Sequence, residues 1–411
     1  MRLSPIRFIV LGAALSASGA LGCQDAADGG STAAPPRAAP VDAADVHLRT
    51  TDGAIALGNL DAQVRGMEHL AGQGPRGPEA RRQLVDLLSA RAQYRGGIED
   101  RARALALAEA LVAAAPDDPR ARLARAAARS GLHAFRAAMD DVERAAALDA
   151  PADDVELARA GLLQSLGAYD EALAIRHARA ERAPTTESLG ALASLLAERG
   201  ESAAASATFA RAHAAYRDVA PFPVAWLLFE EGLMLMRHGE LERAQALFAA
   251  AHARLPGYAA AQCHLAEVEA ALGHTERAIA LLEPLAAAGE DPDPAAQLAR
   301  ILAEHGDAAR AATWRARAAA RYELLLARYP DAFADHGTEF FLAAGADPAR
   351  ALTLARHNLG VRQSAGAYAL LLDAAEAAGD SAAACGVADD AAGATAPSMQ
   401  SVRSRAAALC G

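Results

Sequence analysis

Three features of the sequence predict an all-α solenoid, a superhelix of paired helices. A glycine recurs as Gly167, Gly200, Gly239, Gly273, Gly306, Gly345 and Gly379, at spacings of 33, 39, 34, 33, 39 and 34 residues. An alanine stands five residues after six of these, as Ala172, Ala205, Ala244, Ala278, Ala311 and Ala384. No segment alternates β-branched and polar residues as a strand would, and alanine, the strongest helix former, dominates a chain that is 53% hydrophobic but 4% aromatic. A period in the thirties marks units that cannot bury an apolar face alone and stack to do so. The expected architecture is about eight or nine helical hairpins followed by a capping helix.

The unit from Val224 to Pro256 shows why the spacing exists. Its first helix carries Leu228, Gly232 and Leu235, and Gly232 is small enough to admit a neighbouring helix. Gly239 ends that helix, where a left-handed backbone favours glycine. The second helix places Ala244, Phe248 and Ala251 on one face, and Pro256 stops it. Small residues at a crossing, one large residue filling the gap and a breaker at each end describe a packed hairpin.

This pattern resembles the tetratricopeptide repeat. That family has a small residue seven before the turn glycine, found here as Ala160, Ala193, Gly232, Ala266 and Ala299. Nine after the glycine it has a large apolar residue, here Phe209, Phe248, Leu282 and Leu354. Twelve after stands alanine, kept at Ala212, Ala251, Ala318 and Ala391, and the closing proline survives as Pro184 and Pro256. Arg176 and Arg315 replace the large apolar residue in their units, and Arg350 replaces an alanine. The resemblance implies a superhelical stack that binds protein or peptide partners.

Taken in order, the chain opens with Arg2 and Arg7, an apolar run from Phe8 to Leu15, and small residues from Ser16 to Gly22. A positive start, a short apolar middle and a small-residue cleavage region make residues 1–22 a secretory signal, too short for an ordinary membrane span. The Ala20-Leu21-Gly22-Cys23 sequence resembles the lipobox of bacterial lipoproteins, although that family prefers leucine three before the cysteine and Ala20 holds that place. The resemblance implies cleavage before Cys23 and lipidation of its thiol. The alternative is an ordinary cut near Ala20 and a soluble, secreted product. Residues 23–45, rich in Ala, Pro, Gly, Ser and Asp, read as a tether behind the lipidated cysteine. Gln24 follows Cys23 where aspartate often signals inner-membrane retention in that family, which points to the outer membrane. Degenerate helical repeats are expected over 46–152, well-formed repeats over 153–320, and degenerate repeats with a cap over 321–411.

The two long gaps have local causes. One holds Tyr216 to Val224, where Pro221 and Pro223 are expected to form a linker between units. The other holds a helix expected to run unbroken from Ala308 to Tyr329 before Pro330. Because 33, 39 and 34 occur twice in that order, positions 106 apart correspond, as in a three-hairpin supermodule.

Composition excludes several kinds of chemistry. The net charge is −11, and loss of Arg2 and Arg7 with the signal makes it −13. There is no basic patch and no aromatic stacking platform, which argues against nucleic acid. The chain contains no lysine, so a P-loop is ruled out. Twelve histidines are scattered with no pair at i, i+4, and neither a Cys-x-x-Cys nor a His-Glu-x-x-His occurs, so no metal or redox site is indicated. The glycine pattern Gly72-Gln73-Gly74-Pro75-Arg76-Gly77 follows no strand and reads as a loop between helices. Acidic pairs such as Asp140-Asp141 and Glu230-Glu231 read as solvated helix faces. No catalytic constellation or cofactor is expected. Cys385 and Cys410, on the last hairpin and the capping helix, form a candidate disulfide in an oxidising compartment. Cys263 reads as a small core or groove residue.

In tetratricopeptide stacks the first helices of successive hairpins line the concave face. The outward positions around Gly232 are then Trp226, Phe229, Leu233 and Met236, with Arg237 beside them. Neighbouring first helices offer Glu187, Ser194 and Glu198 on one side and Cys263, Glu267, Arg300 and Glu304 on the other. Trp226, Phe229, Leu233, Met236 and Arg237 are a candidate groove for a peptide or helix, weighed against core, since such stripes are often core. Otherwise they pack inside, if the linker rotates the unit. The functional expectation is a non-enzymatic scaffold, lipid-tethered in a bacterial envelope and facing the periplasm. The layout is similar to lipoproteins that help assemble envelope machinery. A soluble periplasmic binder of a peptide or small ligand is the alternative.

Overall fold

The computed structural model describes residues 48–72, 77–391 and 396–410. The signal, Cys23 and the tether lie outside the described residues, as do residues 73–76 of the glycine-rich loop. Among the described residues there are twenty helices and no strand. After α1 (Gly53–Ala71) come nine hairpins. They are α2 (Gly77–Arg95) with α3 (Ile98–Ala114), α4 (Pro119–Ser130) with α5 (Phe135–Ala147), and α6 (Ala152–Leu166) with α7 (Tyr169–Arg182). The central three are α8 (Thr186–Glu198) with α9 (Ser202–Ala215), α10 (Pro221–Arg237) with α11 (Leu241–Arg254), and α12 (Ala259–Ala271) with α13 (Thr275–Ala288). The last are α14 (Asp293–Glu304) with α15 (Ala308–Arg328), α16 (Pro330–Leu342) with α17 (Pro348–Val361), and α18 (Ala365–Ala378) with α19 (Ser381–Asp390). The cap is α20 (Pro397–Cys410). The architecture is a TPR-like α-α superhelix.

The repeated residues have the work expected of them. Six of the seven recurring glycines have a φ between 68° and 91°, the region that suits a residue without Cβ. The six alanines that follow them are at most 6% exposed, because each lies where the two helices of a hairpin touch. Gly232 faces Phe248, whose ring lies 2.7 Å from where a Cβ would stand.

Gly345 departs from the pattern. Its φ is not positive; the left-handed residue of that turn is Ala346, at 50°. Gly345 is instead pressed against Phe340 and Phe341, whose rings lie 2.9 Å from a would-be Cβ. Beside it, the guanidinium of Arg350 lies 4.2 Å from the centre of the Phe341 ring and pairs with Glu323, which explains why an arginine replaces the small residue. Arg315 lies exposed on α15, whereas Arg176 is buried. The expected proline linker is shorter than the sequence indicated. Pro221 and Pro223 both belong to the first turn of α10, where a missing N–H costs nothing.

First helices of successive hairpins pack side by side along the inner face. The superhelix winds tightly enough for its second turn to touch its first. The turn between α6 and α7 meets the one between α17 and α18, eleven helices later, where the Gln363 amide donates to the Leu166 carbonyl at 3.0 Å. The turn between α8 and α9 meets the start of α20, where the Ser398 amide donates to Arg199 at 2.9 Å. At the N-terminal end, the Thr51 amide donates to Val219 at 2.7 Å, and Arg254 reaches the Leu48 carbonyl. We call this line of contacts the seam. Leu57 and Leu60 of α1 consequently share one apolar core with Leu228 and Leu233 of α10.

Candidate binding sites

The expected groove is closed. Trp226, Phe229, Leu233 and Met236 are 4–6% exposed, so they form core and offer no floor to a partner. Trp226 packs over Gly190 of α8, whose missing Cβ would lie 2.7 Å from the indole. Phe229 meets Phe248 of α11 and Tyr258, with ring centres 5.8 and 5.2 Å apart. On the remaining side α1 and α2 fold against α10, and Tyr94 meets Phe222 at 4.8 Å between ring centres. The cause is the short superhelical pitch, which brings the N-terminal helices over the face that a more open stack would leave bare. Only Arg237, at the end of α10, stays exposed.

Two acidic pairs also differ from a solvated face. Asp141 is buried on α5 and accepts hydrogen bonds from Arg125 and Arg129 at 2.6 to 2.8 Å, with Arg122 at 3.4 Å. Those arginines recur at i, i+3 and i+7 on α4, which is how one helix presents three cations to one carboxylate. Its neighbour Asp140 is exposed. Glu230 and Glu231 are both buried; Glu230 accepts from the Ser194 hydroxyl at 2.7 Å, and Glu231 lies 3.5 Å from His213.

A cavity of about 290 Å³ lies where the ends of α8 and α10 approach the seam. It is lined by Gln164, Tyr169, Glu198, Arg237, Ser364 and Ser401, among others. Burial pushes the Glu198 carboxyl up to about 7, against the opposing pull of Arg237 and the Gln164 hydrogen bond. Burial also lowers Arg176 to about 10, although Glu198 and Glu230 oppose it. Nearby, Arg362 donates to Asp335 at 3.1 Å and to Nδ1 of His133 at 2.8 Å, a buried triad crossing the seam. Burial and then the Arg362 charge hold His133 down at about 3, so its imidazole is neutral.

Cys385 and Cys410 are joined in a disulfide that ties α20 to α19. Arg405 adds a second clasp, with ion pairs to Asp373 and Glu376 of α18. Cys263 is a free thiol, buried on α12. Its neighbour Glu267 pairs with His264, and Arg300 pairs with Glu304 along α14. Among the described residues, no group of His, Cys, Asp and Glu is arranged to hold a metal ion, and no helix is long and apolar enough to cross a membrane.

Residues 235–301 match the family model of the tetratricopeptide repeat. That span runs from the end of α10 through α11, α12 and α13 into α14. No curated protein matches the chain. The crystal structure of the APC/C hetero-tetramer Cut9–Hcn1 aligns at 13% identity over 76% of this chain and 77% of that one, with a TM-score of 0.38. The structure of Naa15/Naa10 bound to HypK-THB aligns at 14% identity over 86% of this chain and 65% of that one, with a TM-score of 0.27.

Proposed function

We propose that this chain, which carries a tetratricopeptide repeat at residues 235–301, is a protein-interaction scaffold tethered by lipid in a bacterial envelope. The repeat fold supports the scaffold role, since such stacks offer long surfaces built from rigid helices. The disulfide between Cys385 and Cys410 is the observation that carries the location, because disulfides persist in oxidising compartments such as the periplasm. It agrees with the signal-like N-terminus and the cysteine at its end. With the α10 face covered, partners would engage the outer helices, the edges of the stack or the cavities along the seam.

The test is intact mass and fractionation of the full chain in a bacterial host with envelope lipidation. The proposal expects a mature chain beginning at Cys23, carrying acyl mass and sedimenting with membranes, and a Cys23→Ala variant released from them. A wild-type chain cut near Ala20, unlipidated and free in the periplasm, would overturn the tether and leave a soluble binding protein.

A further inference from the structure

A second cavity, of about 530 Å³, opens in the seam between the first and second superhelical turns. One wall comes from the end of α2, the α2–α3 turn and the start of α3; the other comes from α12, the start of α14 and α16. Most charges along it are already paired. Arg91 grips Asp100 through two hydrogen bonds of 2.6 and 2.7 Å, and Arg95 holds Asp61 at 2.8 Å.

Among the charged side chains there that are not fully exposed, Arg101 and Asp291 form no ion pair; nor do Glu99 and Glu290, which lie exposed on the rim. Arg101 on the first wall makes one hydrogen bond, to the Gly131 carbonyl at 2.8 Å, and no ion pair with a carboxylate among the described residues. Asp291 on the opposite wall accepts from the Asp293 amide at 3.0 Å and has no cation of the described residues within ion-pair distance. Each acts on the other electrostatically without closing the gap, and His336 of α16 acts on Asp291 as well, also from beyond ion-pair distance. A partly buried guanidinium and carboxylate that face each other but stay apart are an expensive arrangement unless something lies between them. Burial and the like charge of Asp293 also hold the Asp291 carboxyl above its ordinary range, so a cation placed there would relieve it. The lining also has an apolar part, with Ile98, Leu285, Ala288, Ala332 and Phe333.

We propose that the seam cavity binds a small zwitterion with an apolar side chain, an amino acid or dipeptide. Its carboxylate meets Arg101 and its ammonium meets Asp291. A lone anion leaves Asp291 unanswered, and a dication leaves Arg101 so. The cavity volume falls within the range of about 300–1,000 Å³ usual for small-ligand sites. A ligand held there touches both turns, so it would also clasp the seam.

The test is isothermal titration of the purified full chain with leucine, leucyl-leucine, N-acetyl-leucyl-leucine and leucyl-leucinamide. The proposal expects a free zwitterion to bind, and expects blocking either end to weaken binding about tenfold or more. Arg101→Gln and Asp291→Asn, checked for folding by circular dichroism, should each lose the same. Equal binding of free and blocked peptides, or no binding of any of the four to the folded wild type, would overturn it. The wild-type series decides the matter even if a variant fails to fold. Lipidation at Cys23 is read separately by mass, so failure of one proposal leaves the other standing.

Discussion

The amide of Gln363 donates to the carbonyl of Leu166 across 3.0 Å, joining a loop of the second superhelical turn to the first. The next residue, Gly167, lies so close that a Cβ would stand 2.6 Å from the Gln363 carbonyl carbon and 3.0 Å from the Ser364 nitrogen. Gly239 has a similar positive φ but open space around it. Alanine at Gly239 should therefore cost only the left-handed penalty of about 1–2 kcal/mol. At Gly167 the same change should cost about 1–3 kcal/mol more, through overpacking against the second turn. Denaturant unfolding of the two variants measures the difference. Equal losses would mean that the turns do not touch.

Trp226→Ala is expected to behave as a core truncation. With the indole packed over Gly190 and 5% exposed, its removal should lower stability by about 3–5 kcal/mol. A variant that unfolds at the wild-type denaturant concentration would restore the open groove.

Glu198 gives the molecule a signature in pH. Its carboxyl is raised from 4.5 to about 7 by burial. Between those values the folded chain keeps a proton that the unfolded chain has released, so this group's contribution falls as pH rises through the window. Glu198→Gln should thus melt close to wild type at pH 4.5 and above it at pH 8. Thermal melts at the two values check this, and a variant less stable than wild type at pH 8 would contradict it.

Reducing the bond between Cys385 and Cys410 should loosen the end of the stack first. Closing a loop of this sequence separation is worth about 3 kcal/mol by chain entropy. Alkylation followed by peptide mass mapping should label both cysteines only after reduction, with faster exchange confined to α19 and α20. Labelling of both without a reductant would show that the thiols are free.

What the sequence made legible was local. The glycine, alanine and phenylalanine positions repeat because every hairpin solves the same packing problem, so Gly239, Ala244 and Phe248 announce their roles within ten residues. The fate of Trp226 and Phe229 could not be read in this way. Whether a concave face stays bare depends on superhelical pitch, which is set by distant contacts such as Tyr94 on Phe222. Glu230 and Glu231 misled for the same reason: on an isolated helix they look solvated, and only the neighbouring Ser194 and His213 show otherwise. Arg101 and Asp291 carry no pattern at all. Each is an ordinary charged residue until the seam brings the two walls together.

Hydrogen exchange at the amides of Gln363 and Ser398 tests the stacked turns most directly. Both residues precede or begin helices, where an amide bonded to water alone exchanges fast. If the second turn rests on the first, both should be protected, and Gly167→Ala should release Gln363 more than Ser398. Rapid exchange at both positions in the wild type, with the helices themselves protected, would contradict the closed superhelix.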